Sequence, residues 1–179
     1  MLHVVQDELF YNSLPKTMAC TNETKLIAFQ FKLIHNILNN NSNLFKWGIK
    51  QNNACELCDD HYVDNTVHAL ASCAWTKQKV LDISVELGLR DTFAQITKKE
   101  FIFGTEDTCM NNIILLIKYL LHSARQNNGY ISPAIVRNEI YKRVFSDKKS
   151  MNTYKFAEKW TNHGVLVQKA IDYMQNLNI

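Results

Sequence analysis

The sequence predicts a mostly α fold, and three observations carry that expectation. Three apolar stretches repeat at helical spacing. Gly is 5 and Pro only 2 in 179 residues, too few for the turns of a many-stranded sandwich or barrel. The many Asn residues cluster between the apolar stretches, where they serve as turn and cap residues. Hydrophobic residues make up 46% and charged residues 21%, which excludes a disordered tail, a collagen or a coiled-coil rod. The length suits one domain with an ample core.

In the first stretch Ile27, Phe31, Ile34 and Leu38 share a face, widened by Leu26, Leu33 and Ile37. Lys25, Lys32, Asn36 and Asn39 lie opposite. The run Asn39 to Asn43 is expected to stop this helix, because Asn competes for backbone hydrogen bonds. Trp75 to Leu87 is a shorter helix with Gly88 as its cap. Lys99 to Gly104 reads as a short strand or an extended connection. In the second long stretch Met110, Ile113, Ile114, Ile117 and Leu121 face the core, with Asn111, Lys118, His122 and Arg125 on the far side. Asn127-Asn128-Gly129 closes it. Ser132-Pro133 starts a helix that reaches about Phe145. Thr153 to Trp160 is a weaker candidate. Val167, Ala170, Ile171, Met174 and Leu177 form the last stripe.

The N-terminal segment Met1-Leu2-His3-Val4-Val5-Gln6-Asp7-Glu8 turns acidic before any apolar region forms, so no secretion signal is expected. The longest apolar run, Ile113 to Ile117, ends at Lys118, and no membrane span is expected. An intracellular protein, nuclear or cytoplasmic, is expected. Five cysteines, an odd number, then argue for reduced thiols rather than a disulfide framework.

Those thiols are not scattered. Cys55-Glu-Leu-Cys58 is followed by nine residues, His68, four residues and Cys73. Cys-x2-Cys sets two thiolates on one turn at the separation a tetrahedral zinc ion needs, and the His-x4-Cys pair closes the shell. Thiolate and imidazole suit zinc better than calcium or magnesium. The competing reading is a set of unconnected core cysteines. His61 is a rival nitrogen ligand, directly after the Cys58-Asp59-Asp60 run in an acidic loop; His68, in a short helix over Thr66 to Leu70, is favoured. Cys20 and Cys109 lack partners at useful spacing and are expected in the core. Four ligands leave no open position, and no His-x-Glu accompanies them, so one structural Zn²⁺ is expected rather than a catalytic one. The fold class is thus a small helical domain with an embedded CCHC zinc-binding loop. Its division is 1–50 leading into the site, 51–80 as the zinc segment and 81–179 as a C-terminal helical region.

The sequence around these residues resembles a known family. Phe31 to Leu38, Asn43-Leu-Phe-Lys-Trp-Gly-Ile49, Cys55-Glu-Leu-Cys58 and Thr66-Val-His68 to Cys73 are similar to the zinc-binding domain of non-LTR (LINE-type) retrotransposon reverse transcriptases. In that family an apolar helix leads into a Lys-Trp-Gly-Ile-like stretch and a Cys-x2-Cys. A Glu-Thr-(Val/Ile)-x-His-Leu segment and a last Cys follow. The resemblance implies Cys55, Cys58, His68 and Cys73 as ligands. Asn65 departs from the family's Glu and Ala69 from its Leu. Looser similarity continues through Glu100 to Gly104, Ile113 to Leu121 and Phe156 to Trp160, so it spans about residues 25 to 160. It implies a region that follows the polymerase and helps hold template RNA or target DNA. The polymerase domain itself is then a further partner. No Tyr/Phe-x-Asp-Asp pair is present and the acids are scattered, so the chain is expected not to be an enzyme.

The expected partner is RNA or single-stranded DNA, met by basic and aromatic groups. Candidate contacts are Lys46, Trp47 and Lys50 beside the zinc loop, and Lys118 and Arg125 on one helix face. Lys142, Arg143, Lys148 and Lys149 complete the set. Residues 137–159 hold seven Lys or Arg against three acids, a local excess larger than the whole-chain net charge of +3. For Trp47 the rival reading, packing over the zinc loop, is favoured. Glu56, Asp59, Asp60 and Asp64 make that loop acidic, which fits a second function: zinc stapling a helical scaffold that docks on a protein.

Overall fold

The computed structural model describes residues 18, 20–59, 61–127 and 129–177. In chain order its helices are α1 (Thr24–Ile34), α2 (Asn41–Lys46), α3 (Ala74–Leu87), α4 (Arg90–Gln95) and α5 (Lys98–Phe103). Then come α6 (Thr108–Gln126), α7 (Pro133–Ser150), α8 (Thr153–Trp160) and α9 (Gly164–Asn176). A π turn, His68–Ser72, precedes α3, and a 3₁₀ turn, Thr161–His163, precedes α9. Among the described residues the only strand-like pairing is one antiparallel bridge, Ala54 to Val63. The expectation of a mostly α chain with an embedded Cys/His loop is met.

Helix α6 is the centre of the molecule. Its face Met110, Ile113, Ile114, Ile117 and Leu121 is buried as expected. α1 packs on it from one side, while α7 and α8 pack from others. α7 in turn carries α3 and α9. One continuous core runs from Cys20 to Ala170, and Cys20 and Cys109 lie in it. Burying this many large apolar side chains is the main force holding the helices together.

The helix ends follow from local chemistry. The Asp107 carboxylate accepts from Met110 N–H at the start of α6. Gly88, at φ +71°, caps α3 in the left-handed conformation that glycine adopts without strain. Pro133 opens α7, where its missing N–H costs nothing. That helix continues to Ser150, one turn beyond the expected end near Phe145.

Three expectations are corrected. Lys99 to Gly104 is not extended: Thr97 and Glu100 form a reciprocal capping box, which starts α5. The run Asn39 to Asn43 does not end α1, which stops at Ile34. Instead it begins α2, because Asn40 Oδ1 accepts from Asn43 N–H at 2.9 Å. The buried face of α1 is Leu26, Phe29, Gln30 and Leu33, rotated from the expected stripe, and Phe31 and Ile37 are exposed. The expectations that involve the N-terminal segment 1–17, Asp60 and Asn128 lie outside the described residues.

Candidate metal centre

A short hairpin builds half of the site. Cys55 N–H donates to Tyr62 O and Asp64 N–H to Asn53 O, both at 2.8 Å. Between these bonds the chain turns beyond Cys58 with His61 at φ +49°, which returns Tyr62 to Cys55. The π turn supplies the other half. Asn65 Oδ1 accepts from His68 N–H at 2.9 Å and caps this turn. Cys73 N–H donates to His68 O, an i to i+5 bond that sets ring and thiol on the same side. Asn65, the departure from the family pattern, therefore supports the segment that carries the ligand.

The donor atoms of Cys55, Cys58, His68 and Cys73 all lie within 4.8 Å of one another, and all four residues are buried. Cys55 Sγ is 3.8 Å from Cys73 Sγ, and Cys58 Sγ is 3.5 Å from His68 Nε2. A tetrahedral zinc with bonds of about 2.3 Å to sulfur and 2.0 Å to nitrogen has edges of about 3.8 and 3.5 Å. The cluster fits that ion. His61 is exposed and outside the cluster, and the nitrogen atom in the cluster is that of His68.

The electrostatics of the three thiols differ. Burial and the neighbouring thiols of Cys55 and Cys73 push the Cys58 thiol up to about 11. Burial opposes ionisation of Cys73 as well. There the Thr76 N–H, the Arg125 guanidinium and the Trp75 N–H outweigh it and hold the thiol below its ordinary value. Three thiolates, a neutral imidazole and Zn²⁺ leave one negative charge, and Arg125 answers it.

Arg125 comes from the last turn of α6. Its Nη2 contacts Cys55 Sγ at 3.5 Å and its Nη1 contacts Cys73 Sγ at 3.6 Å. Nη2 also bonds Asp64 Oδ1, and both side chains of that pair are only 6% exposed. The guanidinium lies over the Trp75 ring at 5.8 Å. Asp64 Oδ2 accepts from Asn41 N–H at 3.1 Å, which ties α2 to the site. Trp75 and Leu57 cover the cysteines with apolar surface. Gly129, at φ +73°, sits under Leu57, where an added Cβ would come within 3.0 Å of Leu57 Cδ2.

The expected nucleic-acid contacts divide. Lys46, Lys142, Lys148 and Lys149 are exposed. Lys142 pairs with Glu139 and Lys50 with Glu56, whereas Lys148 and Lys149 have no ion pair among the described residues. Trp47 is 48% exposed and does not pack over the zinc loop. Three expected positions are corrected. Arg125 serves the thiolates and Asp64. Lys118 is 1% exposed and donates to Gln30 Oε1 and Ile102 O. Arg143 is held by both Glu23 carboxylate oxygens. Periodicity placed Lys118 and Arg125 on a polar face of α6, but α1, α5 and the zinc loop cover that face. The role of Arg125 was missed for the same reason; the charge of a Cys₃His shell was the signal that a cation must lie nearby.

Residues 11–79 match the family model described as zinc-binding in reverse transcriptase. No curated protein and no solved structure matches the chain. The matched stretch contains all four donors and ends within α3, and its Cys₃His cluster is a site for one structural zinc.

Proposed function

We propose that this zinc-binding segment of reverse-transcriptase type, with the helices around it, is an accessory region of the non-LTR retrotransposon kind that grips RNA or single-stranded DNA. The carrying observation is the match over residues 11–79 together with a four-donor shell that has no position for substrate. A closed shell supports a structural rather than a catalytic metal, and on this reading the chain performs no chemistry. The surface supports nucleic acid in two places. Phe45, Lys46 and Trp47 are exposed together beside the zinc hairpin and offer rings for stacking with a cation between them. Lys142, Lys148 and Lys149 project from α7.

Anisotropy of a labelled single-stranded RNA tests this. Affinity should fall steeply with salt. A chain with Lys142, Lys148 and Lys149 reversed to Glu should lose about 2 from the log–log slope, roughly 0.7 per phosphate contact. Weak binding that is indifferent to salt and to these changes rejects the proposal.

One observation favours a second reading, protein docking. A groove of about 380 Å³ between α3, α4 and α5 is lined by Leu70, Val80, Leu81, Phe93, Ile96 and Phe101. Lys77, Arg90 and Lys98 stand on its rim, exposed and without ion pairs among the described residues. That combination suits an acidic amphipathic segment, including one from a polymerase domain. Co-purification of a protein with no nucleic acid carried through supports this reading over the first.

A further inference from the structure

The opposite end of α6 holds another group of metal-ligating atoms. Asp107, Cys109 and His163 place a carboxylate oxygen, a thiol sulfur and a ring nitrogen within 4.8 Å of one another. Asp107 is the N-cap of α6, Cys109 lies in its first turn, and His163 is in the turn between α8 and α9. Two donors two residues apart and a third from a distant segment form a convergent set rather than a local one.

His163 distinguishes this group from an ordinary helix cap. The residue is 8% exposed, and its Nε2 makes no hydrogen bond. Asp107 Oδ2 lies 3.3 Å from it without hydrogen-bond geometry. A buried ring nitrogen left unsatisfied is costly, so an unfilled partner is the economical explanation. The carboxylate is already oriented: Oδ1 accepts from Met110 N–H at 2.9 Å, and Oδ2 accepts from Asn162 Nδ2 at 3.1 Å. Such outer contacts are what metal ligands ordinarily have.

We propose that Asp107, Cys109 and His163 form a second metal site, separate from the CCHC cluster and suited to Zn²⁺. Mixed oxygen, sulfur and nitrogen donors fit zinc and disfavour calcium or magnesium. One thiolate and one carboxylate balance the charge of a divalent ion, and the thiol proton leaves to solvent on binding. The Asp107 side chain is 29% exposed and Asn162 is exposed, which provides an entry path. Three protein donors leave a fourth position for water or an exchangeable ligand. The ion would clasp the start of α6 to the α8–α9 junction, as the CCHC zinc secures its far end.

Metal content of the full chain, equilibrated with excess Zn²⁺ and then passed through a desalting column, tests the proposal. Wild type should hold two zinc ions, and Cys109→Ala and His163→Gln one each with the helical circular dichroism retained. A wild type that saturates at one ion overturns the proposal, as does a second ion kept by either variant. Co²⁺ titration of wild type decides the matter should a variant fold poorly. The second equivalent should add roughly a third of the thiolate charge-transfer absorbance of the first, one sulfur against three. A second equivalent that adds no such band also overturns it.

Discussion

Replacing Arg125 by methionine keeps the apolar stem and removes the charge, so it isolates what the guanidinium does at the metal centre. The variant strands the Asp64 carboxylate, 6% exposed, beside a shell of net charge −1. Breaking a buried ion pair from one side costs about 3–5 kcal/mol. Asp64 keeps the Asn41 N–H, so about 3 kcal/mol, the lower end, is expected. Loss of an outer-shell partner also weakens metal binding about 10–100-fold. Urea denaturation of the zinc-loaded chain reads the first quantity, and competition against a chromophoric chelator reads the second. Arg143→Met is the control. It also breaks a two-oxygen pair, with Glu23, but those side chains are 17% and 35% exposed, and the loss should stay near 1 kcal/mol. Adding Asp64→Asn to Arg125→Met removes the stranded charge and should recover part of the stability. The reasoning is refuted if Arg125→Met changes stability by less than about 0.5 kcal/mol with zinc affinity unchanged. A loss of RNA affinity with intact zinc affinity would return Arg125 to the nucleic-acid surface.

Other perturbations follow from the same contacts. Removing zinc with a chelator, or changing Cys55 to Ser, should abolish stoichiometric zinc at the cluster and lower the thermal midpoint, because ligand convergence and folding are coupled; an unchanged midpoint after verified metal loss would contradict a structural role. Burial lowers the Lys118 ammonium to about 7 from 10.5. Between those values the unfolded chain binds more protons, so stability should rise with pH by about 1 kcal/mol per unit from pH 7 to 8.5, below the ordinary thiol range. Lys118→Met should flatten that slope, and an unaltered slope would show that Lys118 is not its source. Trp47→Ala should alter stability by less than about 0.5 kcal/mol while costing about 1–3 kcal/mol of single-strand affinity, separating a stacking platform from a core ring in paired denaturation and binding measurements.

What the sequence made legible was chemistry with a fixed local spacing. Within the Cys-x2-Cys and His-x4-Cys pairs the separations are imposed locally, by a hairpin and a single turn. Gly88 and Ser132-Pro133 were readable for the same reason, since each signal acts on its own backbone. Thr97-x-x-Glu100 was equally local and could have been read as a capping box. Faces were harder. On α1, Ile27 and Phe31 have the right period, but Gln30 occupies the buried side because Lys118 needs its carbonyl. That pairing joins residues 88 positions apart, and no window of a single helix contains it.

The same long-range pairing explains why the polar stripe of α6 is not a surface. Asn111 bonds the Thr105 backbone, Asn112 donates to Cys20 O, Lys118 reaches Gln30 and Ile102, and Arg125 reaches the thiolates. Most of this 19-residue helix is thus enclosed on its apolar and polar sides together, and these four polar side chains each have an internal partner, as burial demands. These bonds fix the rotation and depth of α6 more narrowly than leucine packing alone would, because a shift of one residue would break all of them. At one end the helix delivers Arg125 to the zinc cluster, and at the other it presents Asp107 and Cys109 to His163. Its rigidity links the two. A change that unlocks the middle, such as Lys118→Met with Gln30→Leu to restore apolar packing, should leave both donor sets in place yet loosen their alignment. Zinc affinity at the CCHC cluster should then fall while all four ligands are retained. Unchanged affinity in that double variant would show that Arg125 is positioned by its own last turn and by Asp64, without help from the rest of α6.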